Sequence, residues 1–230
     1  VERVGEALEA AVEALTPARL AVQSCTEGRI SFVRRYRMKD GSTRTHPPQA
    51  SRDMRCAEGV IDPELGIVCV VDENESVLGF LTNFTCHPTH HGGDTTISGG
   101  WPGQFAQSMK GAFGPDIVNV FLNGAFGDVH HANPLDPGYV DDPARMGRVL
   151  TLDVEQVFPN LKYFDDVKLS TDTITLRLPY REIEGEHGRD ARFRQRFEGP
   201  RREGAYDRAI ERLAAKQGER DYALAQVQCI

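Results

Sequence analysis

The sequence predicts an α/β fold: a mixed sheet flanked by helices and incomplete at both ends. Two observations carry that prediction. Short apolar runs of strand length, such as Ile67 to Val71 and Ile117 to Leu122, interleave with stretches whose apolar residues recur at helical spacing. At 230 residues and 40% hydrophobic, the chain also has enough apolar surface to bury a core and offset chain entropy, which excludes a disordered or low-complexity polymer.

In chain order, Val1, Val4, Leu8, Ala11 and Leu15 share one helical face, and Pro17 stops that helix. A short strand is expected at Leu20 to Gln23. Residues 26 to 66 lack periodicity and hold Gly28, Gly41, the Pro47-Pro48 pair, Pro63 and Gly66, so they read as a long surface excursion. Ile67 to Val71 and Val77 to Cys86 form two strands of a hairpin around Asp72-Glu73-Asn74-Glu75. Pro102 suits a first helical turn, and Phe105 and Met109 follow four apart, predicting a helix from Trp101 to about Ala112. Ile117 to Leu122 has the character of a buried strand. Asp142 as cap and Pro143 as first residue open a helix carried by Met146, Val149, Leu150 and Val157. Ile174, Leu176 and Leu178 alternate with Thr173, Thr175 and Arg177, which predicts a half-exposed strand. A helix near Tyr206 to Lys216 and a strand from Ala223 close the chain. Between them, residues 181 to 203 set seven arginines among six acidic residues; the charges nearly cancel, which describes a solvated, ion-pair-laced loop or helix. The chain opens inside a helix and closes inside a strand, so it reads as an internal piece of a longer protein.

Charge and cysteine content exclude further classes. With 27 Lys+Arg against 34 Asp+Glu, the net charge of −7 leaves no basic face for nucleic acid. No apolar run reaches the roughly 20 residues of a transmembrane helix. The five cysteines form no CxxC pair and are odd in number, which indicates neither a zinc ribbon nor a disulfide framework. Cys69, Cys86 and Cys229 fall in apolar, strand-like stretches and are expected to pack as small hydrophobes.

Chemistry-bearing residues gather after two strands. Phe80 to Cys86 leads into His87, His90 and His91, and Ile117 to Leu122 leads into Asp128, His130 and His131. Five of the seven histidines thus lie just past strand ends, where open α/β sheets place ligands and catalytic groups. Imidazole is the commonest metal ligand and a proton carrier near neutral pH, so a zinc site or a general base fits this pattern. A His-x-x-His-His spacing in a loop lacks the fixed helical face that makes HExxH specific, and singly placed histidines also serve as surface or packed core residues. Asp128 either bonds backbone amides to fix its turn or takes part in catalysis. Arg34, Arg35 and Arg37 either bind an anionic group or belong to a solvated loop. His46 and His187 stand isolated in loops and are expected to be chemically idle.

Asn83-Phe84-Thr85-Cys86-His87-Pro88-Thr89, Ile97-Ser98-Gly99-Gly100-Trp101-Pro102-Gly103 and Phe121-Leu122-Asn123-Gly124-Ala125-Phe126-Gly127-Asp128-Val129 together resemble the neutral/alkaline ceramidases and their bacterial relatives. Leu15-Thr16-Pro17-Ala18, the Arg34-Arg35 pair and Ile61-Asp62-Pro63-Glu64 agree in order, so the resemblance spans nearly the whole chain. It implies that residues 1 to 230 are part of one catalytic α/β domain of a zinc-dependent amide hydrolase, acting on a small-molecule or lipid-like acyl substrate such as a sphingolipid. It also implies an exported or periplasmic bacterial protein. His87 matches a zinc ligand of the family, whose other ligands match nothing here unless His90 or His91 substitutes. Arg34, Arg35, His90 and Trp101 are the candidate substrate contacts, although Trp101 also suits packing at the start of its helix. The family's nucleophilic serine is replaced by His130, and its following proline by His131. An acyl-histidine is a poor substitute for an acyl-serine, which leaves metal-activated water as the nucleophile, with His130, His131 or Asp128 handling a proton. The other reading is a non-catalytic domain that binds a ligand or metal in a His-rich cleft. No Gly-x-Ser-x-Gly occurs, which disfavours a serine hydrolase.

Overall fold

The computed structural model describes residues 2–90, 95, 97–180 and 205–229. It has a mixed α/β architecture and divides into two compact units, Val1–Val167 and Lys168–Ile230. The charged stretch 181 to 203, His91 and His187 lie outside the described residues.

The first unit begins with helix α1, Glu2–Glu13, which ends before Pro17 rather than at it. Strands β1 (Arg19–Thr26), β6 (Glu64–Val71), β7 (Val77–Phe84), β8 (Val118–Asn123) and β10 (Tyr163–Phe164) form a five-stranded sheet in the order β10-β1-β6-β7-β8. Only the β7–β8 pair is parallel. Helix α2, Gly100–Phe113, makes the crossover that a parallel pair requires. Helix α3, Pro143–Val157, starts as its sequence dictates: Asp142 accepts a hydrogen bond from the Ala144 amide at 2.9 Å, and Pro143 follows.

Alternation along β6 and β7 turns Leu65, Ile67, Cys69, Val71, Phe80 and Phe84 inward, where they meet Trp101, Phe105 and Met109 of α2 and Met146, Leu150 and Val154 of α3. Burial on this scale contributes about 1.5–3 kcal/mol for each large side chain. The helices approach closely at Gly147, where a Cβ would lie 2.6 Å from the Gln104 carbonyl carbon. The opposite sheet face leaves Val22, Leu81, Val118, Val120 and Leu122 exposed. Cys69 and Cys86 are fully buried, as expected of small hydrophobes.

The excursion over residues 26 to 66 holds more regular structure than its sequence predicts. Strands β3 (Arg35–Met38), β4 (Thr43–Thr45) and β5 (Met54–Ala57) form a small sheet in the order β4-β3-β5. Strand β2, Phe32–Val33, pairs with β9, Val129–His130. Strands of two to four residues are too short for alternation to be visible in a sequence.

In the second unit, β11 (Asp172–Pro179) pairs antiparallel with β12 (Tyr222–Cys229), and helix α4, Ala205–Glu219, lies between them in sequence. All eight β11 residues are exposed, which corrects the half-exposed expectation. Ile174, Leu176 and Leu178 are among its exposed residues. Among the described residues, no helix is long and apolar enough to cross a membrane.

Candidate functional site

The parallel strands β7 and β8 end together at Phe84 and Asn123, and their following loops carry the histidines. The Asn123 side chain clamps these loops, donating to the Cys86 carbonyl at 3.1 Å and accepting from the Cys86 amide at 3.4 Å. Ser31 ties in the β2 segment by donating to the Thr85 carbonyl at 2.7 Å. Gly124 is required where the loops touch, because a Cβ there would stand 2.0 Å from the Thr85 hydroxyl oxygen. Pairing of Phe32 with His130 then sets the second loop against the first.

The result is a group whose donor atoms converge: His90, His131 and Asp141 each offer one ligand atom, all within 4.8 Å of one another. His131 Nδ1 meets Asp141 Oδ1 at 2.7 Å and Oδ2 at 2.8 Å, and His90 Nε2 meets Oδ1 at 3.0 Å. The two imidazoles stack at 3.7 Å between centroids, 15° from parallel. Burial works to raise the Asp141 carboxyl, but the His131 and His90 hydrogen bonds and charges outweigh it and hold it below its ordinary value. An ionised carboxylate with two imidazole nitrogens is a donor set that suits zinc, and equally a ferrous ion. Metal bonds of 2.0–2.1 Å at tetrahedral angles set donors about 3.3 Å apart, so the two hydrogen-bonded contacts to Asp141 must lengthen by a few tenths of an ångström to admit an ion.

His130 sits beside this group with its ring 3.9 Å from that of His131. Its Nδ1 accepts the Ala132 amide at 3.1 Å, and its Nε2 faces the Thr89 hydroxyl at 3.0 Å, so both ring nitrogens are engaged. Burial, reinforced by the charges of His131 and His46, pushes its pKa down to about 3. His87 lies 6.1 Å from His130 and 5.0 Å from Phe126, ring to ring. Its Nδ1 is buried with no hydrogen-bond partner among the described residues, and burial followed by the Arg34 charge lowers its pKa. It is not one of the three converging donors.

Next to the cluster is a cavity of about 300 Å³ whose walls include Arg34, His46, Gln49, Tyr139 and Asp141. Arg34 is oriented by its Nε, which donates to the Gly127 carbonyl at 3.0 Å, and by its backbone amide, which donates to the Asp128 carbonyl at 2.9 Å. Tyr139 accepts from Arg145 Nη1 at 3.2 Å.

The remaining sequence-derived candidates separate. Arg35 is ion-paired with Glu58 and does not line the cavity. Asp128 is exposed, and its carboxylate lies 3.6 Å from the position a Gly59 Cβ would take. Trp101 is fully buried, edge-on to Phe84 and Phe121, in agreement with packing at the start of its helix. Burial pushes the Cys86 thiol up to about 12, so it stays protonated near neutral pH.

Three site residues were not legible in the sequence. Asp141 was hidden beside Asp142, whose capping role explained the pair; an acid with no capping function was its only trace. Thr89 looked like the end of a motif. His46 looked isolated, yet its ring stands 4.6 Å from His130, edge to face. Its φ of 54° is left-handed although Pro47 follows, a combination that costs on the order of 1–3 kcal/mol.

No family model and no curated protein matches the chain. Among solved structures, its fold is similar to that of the neutral ceramidase from Pseudomonas aeruginosa, with a TM-score of 0.54 and 19% identity over 76% of this chain and 27% of that one. A ceramidase complexed with C2 gives a TM-score of 0.54 at 18% identity, covering 76% and 27% again. The chain therefore spans 27% of the length of these structures. The fold relationship that the motifs imply is present.

Proposed function

We propose that the protein is a zinc-dependent hydrolase of an amide or related acyl bond, using water in place of an enzyme nucleophile. The observation that carries this reading is the convergence of His90, His131 and Asp141 within 4.8 Å, beside a cavity at the carboxyl ends of a parallel strand pair. The ceramidase fold likeness supports an acyl substrate. A small or lipid-like acyl compound is the class we assign.

His90, His131 and Asp141 would hold the ion, the imidazoles through neutral nitrogens and Asp141 through an ionised oxygen. When bound, zinc supplies Lewis acidity, lowering the pKa of water toward neutrality and polarising a carbonyl. Arg34, pinned to the Gly127 carbonyl, presents a fixed cation on the cavity wall where negative charge on a substrate oxygen would be stabilised. His130 takes or gives a proton only through the Thr89 hydroxyl, because its other nitrogen is held by Ala132.

The test is turnover of a panel of N-acyl amines by the full-length protein, with chelator added and zinc restored. Activity lost to the chelator and regained with zinc is the expected result; inactivity on every substrate with zinc bound sinks the proposal. Zinc content of two variants locates the ion. Loss in Asp141→Ala alone supports the converging group, and loss in His87→Ala alone would move the ion to the position implied by the ceramidase motif.

The mutual hydrogen bonding of His90, His131 and Asp141 favours a second reading, in which this is a non-catalytic domain whose cleft binds a ligand. Bound zinc with no turnover selects it.

A further inference from the structure

We infer that His46 is the proton shuttle of this site, carrying a proton from the attacking water to the departing nitrogen; the inference rests on the hydrolytic reading above and extends it. The loop bearing His46 is tethered from several sides. The His46 amide donates to the Arg34 carbonyl at 2.8 Å, Gln49 Nε2 donates to the Asn133 and Asp136 carbonyls at 3.1 and 2.6 Å, and the Ala50 amide donates to the Pro134 carbonyl at 2.8 Å. These bonds hold His46 at a φ of 54°, against the extended preference of a residue before proline. A loop so firmly fixed in a disfavoured conformation places one side chain, and the place is the wall of the cavity that Arg34, Tyr139 and Asp141 share. His46 thus borders the same space as Asp141, a proposed ligand. His130 does not line that cavity, and its two nitrogens already serve Ala132 and Thr89.

The chemistry balances without another reactant. A water oxygen bonds to the acyl carbon and yields one proton to the His46 ring. The adduct then breaks its C–N bond, the electron pair stays on nitrogen, and His46 returns the proton there. Acid and amine leave, and His46 is restored. One imidazole acts as base and then as acid.

The experiment compares two acetyl donors on the zinc-loaded, full-length protein. The nitrogen of p-nitroacetanilide must be protonated to leave, whereas the p-nitrophenolate of p-nitrophenyl acetate departs without a proton. His46→Asn removes the imidazole with a residue that tolerates the left-handed region. Both donors lose the base step and only the anilide also loses the proton delivered to its leaving nitrogen, so anilide turnover is expected to fall at least about 10-fold further than ester turnover. Zinc content and melting temperature should be unchanged. In the zinc-free wild type, the His46 ring resonances should shift as acetate, the common product, is added. Equal losses on both donors, no loss on the anilide, or unmoved His46 resonances overturn the assignment to His46 and leave the hydrolytic reading standing. Wild type that turns over neither donor with zinc bound defeats both. Should the asparagine variant unfold, His46→Gly, which frees the backbone, is judged by the same ratio.

Discussion

The His90, His131, Asp141 group and a second cluster, Glu27, Arg29 and Asp153, are opposites in charge: two bases with one acid in the first, two acids with one base in the second. Their bonds are alike in length. In the second, Arg29 Nε donates to Glu27 at 2.7 Å and Nη2 to Asp153 at 2.5 Å, fastening the segment after β1 to α3. Access separates them. In the second the two acids are buried, with side chains 0% and 8% exposed, and Arg29 is the half-exposed member, whereas in the first the imidazoles are buried and the exposed member is the acid, Asp141, 35% exposed beside a cavity. Two buried acids cannot give up the one cation that neutralises them without leaving uncompensated charge, so those bonds hold the fold. An open group can trade a hydrogen bond for a ligand.

The largest effect expected from this difference is on stability. Removing the cation in Arg29→Ala leaves two buried carboxylates uncompensated, which costs about 2–4 kcal/mol after allowance for the half-exposed guanidinium. Denaturant titration measures it, and a loss under about 1 kcal/mol would erase the contrast. The open cluster should answer in affinity instead. Asp141→Ala is expected to weaken zinc binding at least about 100-fold in a chelator competition. Asp153→Ala should leave zinc affinity unchanged; equal losses from the two would mean that the clusters do not differ as their access implies.

The pH dependence sharpens the contrast further. Burial, then the hydrogen bond shared with Glu27, raises the Asp153 carboxyl from its ordinary 3.8 to about 6. The folded chain therefore binds more protons than the unfolded chain between those values. Stability falls as pH rises through that window, and the full penalty persists above it. Glu27 has the opposite sign: against the pull of burial, Arg29 holds its carboxyl below the ordinary 4.5, so its contribution is present above that value and lost as pH falls further. Between about pH 4.5 and 6 the Asp153 effect should dominate, lowering stability by about 1–3 kcal/mol. Asp153→Asn, which mimics the protonated acid, should flatten the curve; an unaltered slope would remove Asp153 as its source.

How much of this was legible depended on the range of the interactions. The α/β class, helix α3 with its Asp142 cap and Pro143, and the β6–β7 hairpin follow from local signals, and all are present. The motif histidines follow the carboxyl ends of the parallel strands β7 and β8, as the sequence places them. What the sequence withheld was partnership across long separations. His46 meets His130 only because β2 pairs with β9 and the Arg34 carbonyl catches the His46 amide. Asp141 meets His90 across 51 residues. Arg29 meets Asp153 across 124, and nothing in the local pattern of Glu27, Gly28 and Arg29 foretells a buried ion cluster. For Trp101 the sequence left a substrate contact and packing at the start of its helix both open, and its burial agrees with the packing.

The smallest effect concerns Thr89, whose hydroxyl joins the open cluster to the engaged imidazole beside it. Its oxygen lies 3.0 Å from His130 Nε2 and 3.4 Å from His131 Nε2, and no comparable hydroxyl is seen bonded to Glu27, Arg29 or Asp153 among the described residues. Thr89→Val keeps the shape and removes the bridge. Because Thr89 is exposed, the bonds it makes contribute little net, and the stability change should stay within about 0.5–1 kcal/mol. Proton exchange at His130 should respond more clearly, since the hydroxyl is its protein route outward. In the variant, the rate at which solvent protons exchange with His130 Nε2, followed by NMR, is expected to fall, because a methyl group then stands where the hydroxyl relayed the proton. An unchanged rate would show that His130 already reaches solvent directly, and the open cluster would then have a second titratable neighbour in contact with the cavity.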